Sequence, residues 1–150
     1  MNSKNNNKQK PDISYFRLSL VQFLNENFPM LSLDDNFISS RSEAASQEYE
    51  QAVINGFNHI EAQEYANEIL FRDLHYSKFN MLVTILWNEF AGIVEPEYAK
   101  AFAAELLPEC EAVFEKYLLS DNFEDESEFE LLYTELTGTI SIYIDEHGLQ

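Results

Sequence analysis

Between Leu74 and Phe79 the chain sets a histidine, a tyrosine and a lysine within four positions, His75-Tyr76-Ser77-Lys78. Imidazole, phenol and ammonium are groups from which general acid–base chemistry is built, provided a cleft holds them around a substrate. Directly after them, Asn80, Thr84 and Asn88 recur at four-residue spacing, one polar stripe on an otherwise apolar segment. Such a stripe can face solvent, form a polar seam between helices, or line a pocket. Beside the catalytic reading of His75 stands a plainer one, a satisfied histidine at a cap or core edge.

The second constellation is acidic. Asp121, Glu124, Asp125, Glu126, Glu128 and Glu130 precede and enter the last helical pattern, with Phe123 and Phe129 interleaved. Carboxylates at a helix N-terminus complement its dipole, so a solvated capping loop accounts for the run. Aromatic anchors inside an acidic surface are also the material of a docking patch for a basic partner.

Other chemistries find little footing. No Asp or Glu precedes a histidine by three positions, so the inward-facing Glu-x-x-His pairs of di-iron bundles are missing. His59, His75 and His147 are scattered, and the acidic run lacks the alternating ligands and central glycine of a calcium loop. No metal and no cofactor is expected. Cys110 stands between Glu109 and Glu111, whose charges oppose a thiolate; it reads as a small helix residue rather than a nucleophile. Thr134 to Thr139 looks only superficially like a phosphate cradle. Its single glycine, Gly138, sits inside a helical pattern, where another helix is expected to pass close.

Charge narrows the partners. The chain of 150 residues holds 27 Asp and Glu against 9 Lys and Arg, a net charge of −18. Residues 1–33 hold four of the nine bases and two of the 27 acids, so residues 34–150 carry five bases and 25 acids. That body repels phosphates, which argues against direct nucleic-acid binding and against anionic membrane surfaces. One cysteine permits no internal disulfide, which fits a reducing compartment. The opening residues lack a signal peptide's apolar segment, and the most apolar stretch, 79–94, is shorter than the ~20 residues that span a bilayer. The expectation is a cytoplasmic protein without a membrane partner.

These residues must be positioned by helices. Apolar residues recur at helical spacing through most of the chain, and no run alternates long enough for a sheet. Residues 1–12 read as a disordered leader and 13–150 as a single helical domain. The first helix runs from about Ser14 to Asn27. Asp34 or Asp35 caps the second, with Phe37, Ile38, Arg41, Ala45, Tyr49, Ala52 and Val53 on one stripe and Gly56 after its last turn. Asn58 and Glu61 form a capping box for a third, reaching Leu74. Ser77 opens a fourth to about Gly92, and Pro96 starts a fifth. Pro108 is expected to kink or restart that helix, giving a sixth segment. Ser127-x-x-Glu130 is a second capping box, opening a last helix to Gly148. The β-branched cluster Thr137 to Ile142 is the one place where a short strand competes.

The spacing therefore predicts an all-α, multihelical bundle of about six or seven helices around a central apolar helix, 79–92. Apolar residues cover most of that helix's circumference, which calls for neighbours on several sides or burial in a homodimer.

Four stretches also resemble a known family: Leu74 to Phe79, Leu86-Trp87-Asn88-Glu89-Phe90, Leu132 to Ile140, and the terminal Glu146-His147-Gly148-Leu149-Gln150. Ser14 to Leu18 and Leu118 to Phe123 fit as well. Over about residues 13–150 the chain resembles an uncharacterised family of small acidic proteins associated with Bacteroidetes and their conjugative mobile elements. The resemblance implies an all-helical fold and a setting beside DNA-handling proteins, but no activity or catalytic residue.

Three functions are compatible with these residues. The leading one is a non-enzymatic, cytoplasmic interaction module that meets a basic protein partner through its acidic face. The second is a nucleic-acid mimic, which needs its carboxylates gathered on one elongated face. The third is an enzyme or small-ligand binder at the His75–Lys78 junction, which needs a pocket beside the Asn80/Thr84/Asn88 stripe.

Overall fold

A computed structural model describes residues 12–148. Among these residues are six α-helices and no strand. They are α1 Ile13–Asn27, α2 Asp35–Ile54, α3 His59–Leu70, α4 Lys78–Glu89, α5 Ala99–Phe114 and α6 Glu128–His147. Short 3₁₀ turns occupy Leu31–Leu33, Pro96–Tyr98 and Phe123–Asp125. The chain divides into two compact units, one ending at Arg72 and the other beginning at Asp73. The expected disordered leader lies outside the described residues except for Asp12. That residue caps α1 by accepting a hydrogen bond from the Tyr15 amide at 3.1 Å.

The first unit is a helical hairpin, α2 and α3, with α1 packed on α2. Ala45 and Ala52 of α2 and Ala62 and Ala66 of α3 are buried, and side chains that small let two helices approach closely. Phe16, Leu20 and Leu24 fill the face of α1 turned inward, where the Phe16 ring meets Tyr49 at 6.4 Å. The turn between α2 and α3 is set by local chemistry. The amides of Gly56 and Phe57 donate to the carbonyls of Val53 and Ala52, closing the helix end. Gly56 takes φ 102°, which a side chain would resist. The Asn58–Glu61 capping box then forms in full, at 2.9 and 3.1 Å.

In the second unit, α4 packs on both α5 and α6. Phe79, Met81, Leu82, Val83, Ile85 and Leu86 of α4 are buried with Phe102, Leu106 and Phe114 of α5 and Leu132, Leu136 and Ile140 of α6. The helix is not apolar all round, however. It ends at Glu89, and Trp87 is 46% exposed on the face it shares with Asn80 and Asn88. The Trp87 indole donates to the Pro96 carbonyl at 3.4 Å, which lets a large ring lie at the surface with its polar edge satisfied.

Four local expectations need correction. The third helix stops at Leu70, and Leu74 is buried from a loop instead. Pro108 does not break α5, which is continuous from Ala99 to Phe114. Ala104 and Pro108 are both exposed, so the carbonyl deprived of its partner turns toward water. The Ser127–Glu130 box is absent. Ser127 has helical angles (φ −64°, ψ −26°) because the chain arrives from a 3₁₀ turn, whereas a capping side chain needs extended backbone. Gly138 lies on an open face of α6 with no neighbour where a side chain would project. The Thr137–Ile142 cluster is helical, and the hydroxyls of Thr137 and Thr139 donate hydrogen bonds to carbonyls one turn back.

Candidate functional site

The sequence's two chemical constellations meet in the second unit, and Asp121 joins them. Its carboxylate accepts the Asp73 amide at 2.7 Å and the His75 amide at 3.2 Å. Asp73 needs that support, because its φ of 66° is a conformation most side chains avoid. The exposed His75 ring places Nε2 3.9 Å from the same carboxylate. His75 thus flanks a loop clamp.

Below the clamp the site is an aromatic core. Phe123 is fully buried, with Tyr76 edge-on at 5.2 Å, Phe129 at 6.1 Å and Tyr117 at 6.2 Å. The expectation of Phe123 as an exposed anchor is therefore corrected. The Phe123–Asp125 turn rolls the ring inward and leaves its acidic neighbours outside. Phe129 is half-buried. The Tyr76 hydroxyl donates to Met81 Sδ, and burial, aided by the charge of Glu124, holds its phenol well above the ordinary range. A phenol so protonated is unsuited to act as a base near neutral pH.

Lys78 begins α4 behind the Ser77 cap, whose hydroxyl accepts the Asn80 amide at 2.9 Å. Its ammonium pairs with Glu111 at 3.0 Å and lies 5.4 Å from the Phe114 ring centre. The polar stripe divides. Asn80 is exposed, Thr84 half-buried, and Asn88 donates at 3.3 Å to the Tyr133 hydroxyl, which itself donates to Glu89 at 2.9 Å. The stripe is thus solvent-facing at one end and a seam between α4 and α6 at the other.

Glu124, Asp125 and Glu126 are exposed, as are Glu128 and Glu130 in the first turn of α6. None of the five makes an ion pair or hydrogen bond through its side chain among the described residues. Nearby, the Glu135 carboxylate accepts hydrogen bonds from Lys116 and, at 2.8 Å, from Tyr117, which hold its carboxyl below the usual range. Burial pushes the Cys110 thiol up to about 11, with help from Glu109, so it is chemically quiet. No cluster of three or more His, Cys, Asp or Glu able to hold a metal occurs among the described residues. No helix among them is long and apolar enough to cross a membrane.

Glu111 and Tyr133 carry no sequence signal for these contacts. Their partners lie 33 and 45 residues away, and neither position has a local signature.

A search of curated proteins finds no match. Among solved structures, the crystal structure of protein PG0816 from Porphyromonas gingivalis is similar to this chain, with 41% identity and a TM-score of 0.89. The match covers 95% of this chain and 97% of that one. Residues 8–149 match the model of a family described as a domain of unknown function, DUF1896, and the chain belongs to that family.

Proposed function

We propose that the protein is a non-enzymatic interaction module whose second unit docks a basic protein in the cytoplasm. The observation that carries this reading is the build of the 121–130 segment. Asp121 and Phe123 fix its backbone from within, while Glu124, Asp125, Glu126, Glu128 and Glu130 stand in solvent without cations. A held loop has less freedom to lose when a partner arrives, so its charges act at lower entropic cost. From Asp73 onward the sequence has 17 acids against three bases, and two of those, Lys78 and Lys116, are already paired. The resulting field speeds encounter with a basic surface and repels anionic ones. A DNA-handling protein of a mobile element, basic because its own ligand is a polyanion, is the partner class the family resemblance suggests.

The test compares wild-type protein with a variant carrying Glu124→Gln, Asp125→Asn, Glu126→Gln and Glu128→Gln as bait in host lysate. Basic proteins should be retained at low salt by the wild type alone and released as salt rises. An empty wild-type eluate at low salt, or equal capture by the variant, counts against the reading.

A further inference from the structure

In the first unit, Glu61, Glu64 and Glu68 rise along the outer face of α3 beside the rings of Phe57 and Tyr65. Together these five residues line a concave pocket of about 270 Å³. The two rings meet edge to face at 5.0 Å, and each is 38% exposed, an unusual condition for paired aromatics. The side chains of Glu64 and Glu68 make no hydrogen bond or ion pair among the described residues. Two arginines of the same unit are engaged elsewhere: Arg17 with Asp35 and Ser39, and Arg41 with the carbonyls of Ile69, Leu70 and Arg72.

The chemistry of that lining is selective. An anion meets three carboxylates. A neutral apolar ligand would desolvate them without giving a hydrogen bond in return. A metal ion needs converging ligands, and no such group occurs among the described residues. What satisfies both halves of the pocket is a flat organic cation. Its charge is attracted to aromatic faces, and its fork of N–H groups suits carboxylate oxygens. An arginine guanidinium stacks and pairs in this way, whereas a lysine ammonium is a more strongly hydrated point charge.

We propose that this pocket takes the guanidinium of an arginine side chain from a basic protein partner. The proposal leans on the docking-module reading only for the carrier of that arginine. The pocket lies in the first unit and the acidic loop in the second, so the two can fail separately.

The probe is the peptide acetyl-Gly-Arg-Gly-amide, with citrulline and lysine peptides as counterparts, titrated into full-length protein and followed by backbone amide NMR shifts. The arginine peptide should move resonances of residues 57–68 and bind at least about tenfold more tightly than its neutral citrulline isostere. Glu64→Gln with Glu68→Gln, and separately Tyr65→Leu, should each weaken it about fivefold or more. Glu61 is left intact because its carboxylate caps α3. Neutralising Glu124, Asp125 and Glu126 should change the affinity by less than about twofold, as those charges act only through the screened general field. Equal binding of citrulline, or indifference to the Glu64 and Glu68 changes, overturns the site. Equal binding of lysine overturns the guanidinium assignment. Shifts confined to residues 121–130 overturn the pocket while leaving the acidic loop as a docking surface. Arginine binding that survives when the bait experiment captures nothing supports the pocket and sinks the docking reading alone.

Discussion

The Asp121 carboxylate holds the Asp73 amide at 2.7 Å across 48 residues of sequence, and the same group holds His75. One side chain thus ties the loop before α4 to the loop before α6. Asp121→Ala leaves two amides without their anionic acceptor and should cost about 1–3 kcal/mol. Asp121→Asn keeps one acceptor oxygen and should cost roughly half that. Because Asp73 is left-handed, Asp73→Gly should exceed Asp73→Ala in stability by about 1 kcal/mol. Urea unfolding followed by the fluorescence of Trp87, which lies in this unit, measures all three. An Asp121→Ala loss no larger than that of Glu124→Ala would show that the clamp contributes nothing.

Phe123 and Phe129 look equivalent in the acidic run, yet they differ sharply in burial. Removing the fully buried ring, Phe123→Ala, should cost about 3–5 kcal/mol and loosen Tyr76 and Tyr117 as well. Phe129→Ala, from a half-buried site, should cost about 1–2 kcal/mol. The near-ultraviolet circular dichroism of the tyrosines should fall in the first variant and persist in the second. Equal losses would contradict the inward turn at Phe123.

Alkaline stability follows from the raised thiol and phenols. Cys110 is kept neutral up to about 11 in the folded chain, against an ordinary value of 9.0. Above pH 9 the unfolded chain gives up that proton while the folded one retains it. The contribution is therefore complete below about pH 9 and is lost as pH rises toward 11. Tyr76, Tyr98, Tyr117 and Tyr133 are also shifted upward and extend the loss to higher pH. Unfolding free energy measured from pH 8 to pH 11 should fall less steeply in Cys110→Ala than in wild type. Parallel slopes would remove the thiol from the explanation. Iodoacetamide at pH 8 should label Cys110 only after denaturation.

What the sequence discloses is what neighbouring residues decide among themselves. The Asn58–Glu61 box, the Ser77 and Asp34 caps and the glycine after α2 need only a few adjacent positions, and all form. The Ser127–Glu130 pattern has the same letters and fails, because the preceding turn delivers Ser127 already in helical conformation. Pro108 is tolerated because it falls on the wet side of α5, a property of the packed helix rather than of the proline. The Asp121 clamp is longer-ranged still. Its partners lie 46 and 48 residues away, so the acidic run reads as a loose surface loop until the fold brings it back to Asp73. Phe57 and Tyr65 give no sign of their pairing in the sequence for a similar reason: their shared pocket depends on the turn between α2 and α3.

Ser42 offers a test in the first unit. It is wholly buried on α2, and its hydroxyl has no hydrogen-bond partner among the described residues. A buried hydroxyl without a partner forfeits its hydration and gains nothing in exchange. Alanine removes the orphan, keeps nearly the same volume beside Ala45, and has a higher helix propensity. Ser42→Ala should therefore raise stability by about 0.5–1.5 kcal/mol, visible as a higher urea midpoint by far-ultraviolet circular dichroism. Ser42→Val adds bulk at a seam of small residues and should be destabilising by about 1–3 kcal/mol. If Ser42→Ala loses stability instead, the hydroxyl is bonded in solution, and its carbonyl one turn back, that of Ile38, is the acceptor to look for.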